Sequence, residues 1–172
     1  THLPGVVELK LNGHTNICGT NASGKTTLQR LIPVFYGEYP SRVVPATRDS
    51  FEKWYLPRES SFIIYEYERA EADLCQVVLA SSGNGVNYRF IGKPFDLDDY
   101  LYKNKAGDHV SVTMNELARS LKRTNVLVTN LLNTKEFKAV LQNDRAVLNG
   151  SANSRELLGY SRVFSLCDQN QH

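Results

Sequence analysis

Cysteine is scarce and scattered in this 172-residue chain: Cys18, Cys75 and Cys167 stand far apart and are odd in number. They form no CxxC pair and no metal-ligand spacing, which fits a reducing, cytoplasmic setting better than a disulfide framework. The four histidines are equally dispersed, with His2 and His172 at the termini. A metal site built from His or Cys is therefore not expected. No apolar run approaches the roughly 20 residues needed to cross a bilayer, and no signal-peptide pattern opens the sequence. No membrane partner is expected. An excess of charge of one sign is also missing, since 20 Lys and Arg against 18 Asp and Glu leave a formal net charge of +2. That balance neither demands nor forbids nucleic acid, because a local patch matters more than the sum. There is no internal repeat and no low-complexity segment. An initiator Met is absent, and the sequence stops at Gln171-His172 just after an apolar run. Both ends lead to the expectation of a piece of a longer protein.

What is present is ordinary globular composition, with 41% hydrophobic and 22% charged residues, enough for one hydrophobic core. Val6, Val7, Leu9 and Leu11 alternate in part and predict a strand, and Asn12-Gly13 is a hairpin turn signal. Thr15-Asn16-Ile17-Cys18 reads as a second strand running into Gly19, with Cys18 a packed strand-end residue. Leu28, Leu31, Ile32 and Phe35 fall at helical spacing from Lys25 to about Phe35. Pro33 should kink or shorten that helix, and Gly37 should stop it. Glu38–Ser60 is polar and rich in Pro, Arg and aromatics, with Trp54 and Tyr55 expected to pack beneath it. Phe62–Tyr67, Cys75–Ala80 and Tyr88–Ile91 predict an antiparallel meander, because the links between them are too short for crossover helices. Lys93–Val110 reads as a polar loop. Thr113-Met114-Asn115-Glu116 has capping-box spacing and opens a helix to about Lys122, whose Lys122-Arg123 end suits the helix dipole. Asn133–Glu136 starts another, with Phe137, Val140 and Leu141 on one face. Asn153–Leu158 predicts a short third helix and Val163–Cys167 a final strand.

The sequence Gly19-Thr20-Asn21-Ala22-Ser23-Gly24-Lys25-Thr26 satisfies GxxxxGK[ST] at every fixed position. Glycines let the backbone turn tightly, so that successive N–H groups point into one anion-sized hollow. The helix that follows presents its N-terminal donors and positive dipole end to phosphates. In such a loop Lys25 reaches the β- and γ-phosphates and the Thr26 hydroxyl ligates magnesium. The expected contacts are thus Gly19, Asn21, Ala22, Ser23, Gly24, Lys25, Thr26 and Thr27, with ATP and Mg2+ as cofactors.

The run from the Asn-Gly turn through Thr15-Asn16-Ile17-Cys18-Gly19-Thr20-Asn21-Ala22-Ser23-Gly24-Lys25-Thr26-Thr27-Leu28 resembles the N-terminal head segment of SMC-like ATPases. These are ABC-type ATPases of chromosome maintenance and DNA repair. Their loop commonly reads G-x-N-G-x-G-K-[ST]; Asn21 matches its Asn, while Ala22 replaces its second glycine. Tyr36-Gly37-Glu38-Tyr39-Pro40-Ser41-Arg42 also resembles the end of the family's first helix. The likeness covers about the first 45 residues. It implies an α/β P-loop NTPase fold, specifically an ABC-type half-head with an antiparallel β subdomain and a helical C-terminal portion. The whole of 1–172 then forms one head segment: a Walker A core over 1–60, a meander over 61–92, and a loop and helical portion over 93–172. The resemblance further implies a distal half, joined through a coiled coil, that carries the signature motif, Walker B and the catalytic glutamate. It implies as well a second head as homodimer partner, and DNA reached through the parent complex. This sequence has no LSGG-like signature and no apolar run ending in Asp-Glu, so hydrolysis is expected only after assembly, and the catalytic residues stay unassigned. ATP rather than GTP rests on the resemblance, because Walker A reads phosphates and not bases.

Several residues keep two readings. Val163–Asp168 reads as a Walker B strand with Asp168 holding magnesium through water. Alternatively Gln169 or Gln171 is the family's Q-loop glutamine, or the segment is simply a strand leading to a polar terminus. Arg42 and Arg48 are either near-nucleotide arginines that sense DNA or the opposing head, or solvated loop charges. A competing function is a self-contained P-loop kinase or GTPase. Asn133-Thr134-Lys135-Glu136 lacks the NKxD order a GTPase needs to read its base. Arg42–Arg58 is the only stretch resembling a kinase lid.

Overall fold

The computed structural model describes residues 30–45, 50–69, 73–142 and 144. The expected strands over Val6–Leu11, Thr15–Cys18 and Val163–Cys167, and the helix over Asn153–Leu158, lie outside them. What is described is a mixed α/β arrangement with antiparallel sheets. Residues 30–35 are helical (α1). There follow α2 (Pro40–Val43), α3 (Phe51–Tyr55), β1 (Ile63–Arg69), β2 (Asp73–Ser81) and β3 (Val86–Ile91). A 3-10 turn (Leu97–Tyr100) leads into a small hairpin, β4 (Leu101–Lys103) and β5 (His109–Ser111), then α4 (Met114–Arg123) and α5 (Thr134–Gln142). Among the described residues no helix is long and apolar enough to cross a membrane.

The main sheet runs in the order β1-β2-β3, antiparallel throughout. Its register sets Tyr65 opposite Val77 and Val77 opposite Phe90, and likewise Ile63, Leu79 and Tyr88 in one row. Since successive side chains point to opposite faces, Cys75, Val77 and Leu79 meet one layer of helices and Val78 and Ala80 another. The central strand therefore reads as a continuous buried run, as strands covered on both faces do. On the first face Val34 of α1, Phe51 of α3 and Phe137, Ala139 and Val140 of α5 complete the core. The Phe137 ring stacks on Tyr88 with centroids 4.3 Å apart. On the second face Tyr100, Met114, Leu117, Ala118 and Leu121 pack beside Val128.

The free edge of β3 is covered by residues 127–132, which form isolated antiparallel bridges at Tyr88–Leu132 and Ile91–Val128. The amides of Tyr88 and Leu132 exchange hydrogen bonds with each other's carbonyls at 2.8 Å. Thr129 does more than pair: its hydroxyl accepts the Phe90 amide at 3.0 Å. An edge strand with bare amides invites unwanted pairing, and this broken fourth strand removes that liability.

Three expectations need correction. The polar stretch Glu38–Ser60 contains α2 and α3 and sinks Pro40, Phe51 and Leu56 into the interior. A helix of four or five residues spans barely more than one turn, too little for a period to show. Trp54 is not fully packed beneath that stretch: it is 49% exposed, while α3 turns Phe51 inward. Tyr55 does pack, its ring 4.9 Å from Phe51. Finally, Lys93–Val110 is not a plain loop but holds the 3-10 turn and the β4–β5 hairpin. Asn104 closes that hairpin, its side-chain oxygen accepting the amides of Ala106 and Asp108, while Gly107 takes φ +83°.

Candidate functional site

The phosphate-loop residues Gly19, Asn21, Ala22, Ser23, Gly24, Lys25, Thr26 and Thr27 lie outside the described residues, as do Arg48, Asp168, Gln169 and Gln171. What the structure describes is the far end of the helix predicted to follow that loop, and its seating on the sheet.

That end is closed by local chemistry. The Glu38 amide donates to the Pro33 carbonyl at 3.0 Å and the Gly37 amide to the Val34 carbonyl at 3.1 Å. This pair of bonds is the Schellman arrangement, which needs a left-handed residue just past the helix. Gly37 supplies it with φ +95°. A Cβ built there would come within 3.2 Å of the Leu141 side chain on α5, so the glycine also permits a close approach between the two helices. Pro33 sits in the last turn, and α1 ends two residues beyond it.

The helix is tied to β1 by aromatic side chains. The Tyr65 hydroxyl donates to the Leu31 carbonyl at 2.6 Å. The Phe35 ring lies 5.1 Å from that of Tyr65 and 6.0 Å from that of Tyr67. Burial raises the Tyr65 phenol well above its ordinary value, with the neighbouring Tyr88 adding to the effect. Neither tyrosine stood out in the sequence as more than an alternating strand residue, because a contact across 34 positions leaves no local signal.

Arg42 sits in the last turn of α2. Its guanidinium is 3.5 Å from Glu38 and 5.6 Å from the centre of the Tyr39 ring, and its side chain is 71% exposed. It is an exposed charge paired along the surface. Such a pair contributes little to stability. The Lys138 ammonium approaches the same Tyr39 ring at 5.4 Å, which joins α5 to the α1–α2 corner. Beside it opens a cleft of about 410 Å³ between α2, the start of α3, the β2–β3 turn and Thr134. Its polar walls are Ser41, Ser50, Glu52, Asn84 and Thr134. At its base the Thr134 hydroxyl points to the Tyr88 oxygen, a long 3.5 Å contact. Burial pushes the Tyr88 phenol up to about 12, partly offset by that contact and reinforced by Tyr39. Among the described residues no three His, Cys, Asp or Glu side chains gather as a metal ion would require.

The second face holds a buried polar pair of different character. Arg89 is only 6% exposed, and it donates to the carbonyls of Thr129 and Met114, each at 2.9 Å. Burial lowers its pKa. Gln76, fully buried, accepts the Tyr100 hydroxyl at 2.6 Å and donates to the Lys93 and Pro94 carbonyls. Both side chains bind backbone carbonyls of segments packed against the sheet. They are structural clamps, not reacting groups.

No curated protein and no solved structure matches the chain. One family model does, across residues 1–172, so the chain belongs to the family described as "Protein of unknown function (DUF3584)".

Proposed function

We propose that this chain binds ATP with magnesium as the N-terminal half of an SMC-like, ABC-type ATPase head. The observation that carries the reading is the complete GxxxxGK[ST] motif at Gly19–Thr26, placed before a helix whose end is described at 30–35. A second feature supports it: that helix end packs against an antiparallel sheet, the kind of subdomain the resemblance implies. Backbone amides of the loop would hold the phosphates, Lys25 would neutralise the β- and γ-phosphate charge, and Thr26 would ligate the metal. Magnesium supplies charge neutralisation between the terminal phosphates. Adenine selectivity, the distal half-head, the partner head and any reach to DNA all rest on the resemblance.

In this reading the chain is a switch component and not a finished enzyme. Binding two nucleotides between two heads would convert binding energy into closure. The test is direct binding of ATP–Mg to the purified chain, with Lys25→Ala beside it. Lys25→Ala should abolish binding, and the intact chain should bind but turn ATP over slowly. Rapid hydrolysis by the 172-residue chain alone would sink the half-head reading and favour a self-contained P-loop enzyme.

A further inference from the structure

We infer that Asn84-Gly85, in the link between β2 and β3, is a site of spontaneous isoaspartate formation that sets a carboxylate on the cleft wall. The inference is independent of nucleotide binding. β2 ends at Ser81 and β3 begins at Val86, and these two residues face each other across the ladder. The link is therefore Ser82–Gly85, closed by the Ser82 amide donating to the Gly85 carbonyl at 3.0 Å. Gly83 takes φ +91°, the left-handed conformation that lets so short a link reverse the chain. Asn84 beside it is exposed. Among the described asparagines it alone is followed by glycine.

Gly85 differs from Gly83. Its φ lies outside the left-handed region, and a Cβ built on it would meet the Ser82 Oγ at an ordinary 3.6 Å. The link therefore does not require a glycine at this position. What the missing side chain does is leave the Gly85 nitrogen open to close approach. Among the described residues no acceptor holds that amide. Asn87 is the contrast, because the amide that follows it, that of Tyr88, donates to the Leu132 carbonyl at 2.8 Å.

An unbonded amide next to an asparagine side chain has a reaction open to it. Once hydroxide has removed its proton, the Gly85 nitrogen attacks the Asn84 side-chain carbonyl carbon. A C–N bond forms, the bond to the side-chain nitrogen breaks, and ammonia leaves with a proton taken from water. Water then opens the cyclic imide at either of its two carbonyls. One opening gives aspartate; the other runs the main chain through the former side chain and gives isoaspartate. One water is consumed and one ammonia released, with no change of oxidation state. Either product replaces a neutral carboxamide by a carboxylate on the wall of the cleft, where Glu52 already stands. Isoaspartate also adds one carbon to the main chain of the link. That link runs directly into Val86, only 7% exposed in the first core cluster, so lengthening it loosens the pairing of Ser81 with Val86.

The experiment incubates the intact chain and Gly85→Ala at neutral and mildly alkaline pH, and follows each asparagine by peptide mapping. Mapping by site is needed because Asn12-Gly13 and Asn149-Gly150 also occur in the sequence. In the intact chain Asn84 should give aspartyl and isoaspartyl forms, at a rate proportional to hydroxide and severalfold or more above that of Asn87. Gly85→Ala should slow this conversion severalfold without lowering the melting temperature. The folded chain should convert nearly as fast at Asn84 as the same chain unfolded in urea. An Asn84 that is stable in the folded chain but converts in the unfolded one would overturn the inference, whatever the variant does. Equal rates in the intact chain and in Gly85→Ala would overturn it too. The isolated isoaspartyl form should melt below Asn84→Asp, which carries the same charge on an ordinary main chain. Equal melting temperatures would overturn the loosening of the Ser81–Val86 pairing and leave the modification site standing.

Discussion

At the scale of single residues, the strongest commitments are polar groups placed where water cannot reach them. Arg89 carries a charge into the interior and meets two carbonyls, those of Thr129 and Met114. Truncating it would remove both bonds and open a cavity, and hydrogen bonds to a charged group contribute about 1.5–3 kcal/mol each. Arg89→Ala should therefore cost about 3 kcal/mol of stability, measured by urea denaturation. The buried tyrosines predict a pH limit. Burial raises the phenols of Tyr65, Tyr88 and Tyr100 above their ordinary value of 10, with Asp99 adding to the effect at Tyr100. In the unfolded chain they ionise near 10, so above that pH the unfolded state holds fewer protons than the native one. Linkage then makes stability fall as pH rises. The contribution should be fully present below pH 10 and be lost progressively toward about 12, the value reached by Tyr88. A melting temperature that stays flat across this window would contradict the burial of these hydroxyls. Tyr65→Phe and Tyr100→Phe should each shallow the decline.

At the scale of elements, junctions decide the architecture. The turn at Gly37 joins α1 to α2 and lets α5 approach, so one substitution tests both roles. Gly37→Ala forces a Cβ into a φ of +95° and to 3.2 Å from Leu141. A cost of about 1–2 kcal/mol is expected, seen as a lower melting temperature. The helix starts were legible in the sequence because their chemistry is local. The Thr113–Glu116 and Asn133–Glu136 pairs each form reciprocal capping bonds in the structure. The three strands of the main sheet were legible too, through alternation in β1 and the apolar run of β2. The β4–β5 hairpin was not, since three-residue strands with mostly exposed or half-exposed side chains carry no pattern. The covering of β3 by residues 127–132 was equally hidden, because it depends on pairing across about 40 positions. The same division holds for the candidate site. A phosphate loop is readable because consecutive residues make it, whereas the Tyr65 bond exists only after the sheet has formed.

At the scale of the whole molecule, the first core cluster joins the end of the first helix to the strands and helices that follow it. Val34, from the helix predicted to follow the phosphate loop, is fully buried against residues of β2, β3, α3 and α5. Unfolding that helix therefore exposes the shared core, and a small domain so built should unfold as one unit. A ligand held at the head of the helix then stabilises the ensemble and not a single loop. At a concentration 100 times its dissociation constant, ATP–Mg should add about 2.7 kcal/mol to global stability. Trp54, the only tryptophan, lies on α3 beside the buried Phe51 and Leu56, so its emission follows the layer opposite the sheet. Far-ultraviolet circular dichroism follows all helices and strands together. With ATP–Mg both transitions should move to higher urea by the same amount, and Lys25→Ala should show neither shift. A shift in circular dichroism without one in Trp54 emission would mean that the nucleotide holds only the first helix, and that the core does not pass its binding energy on.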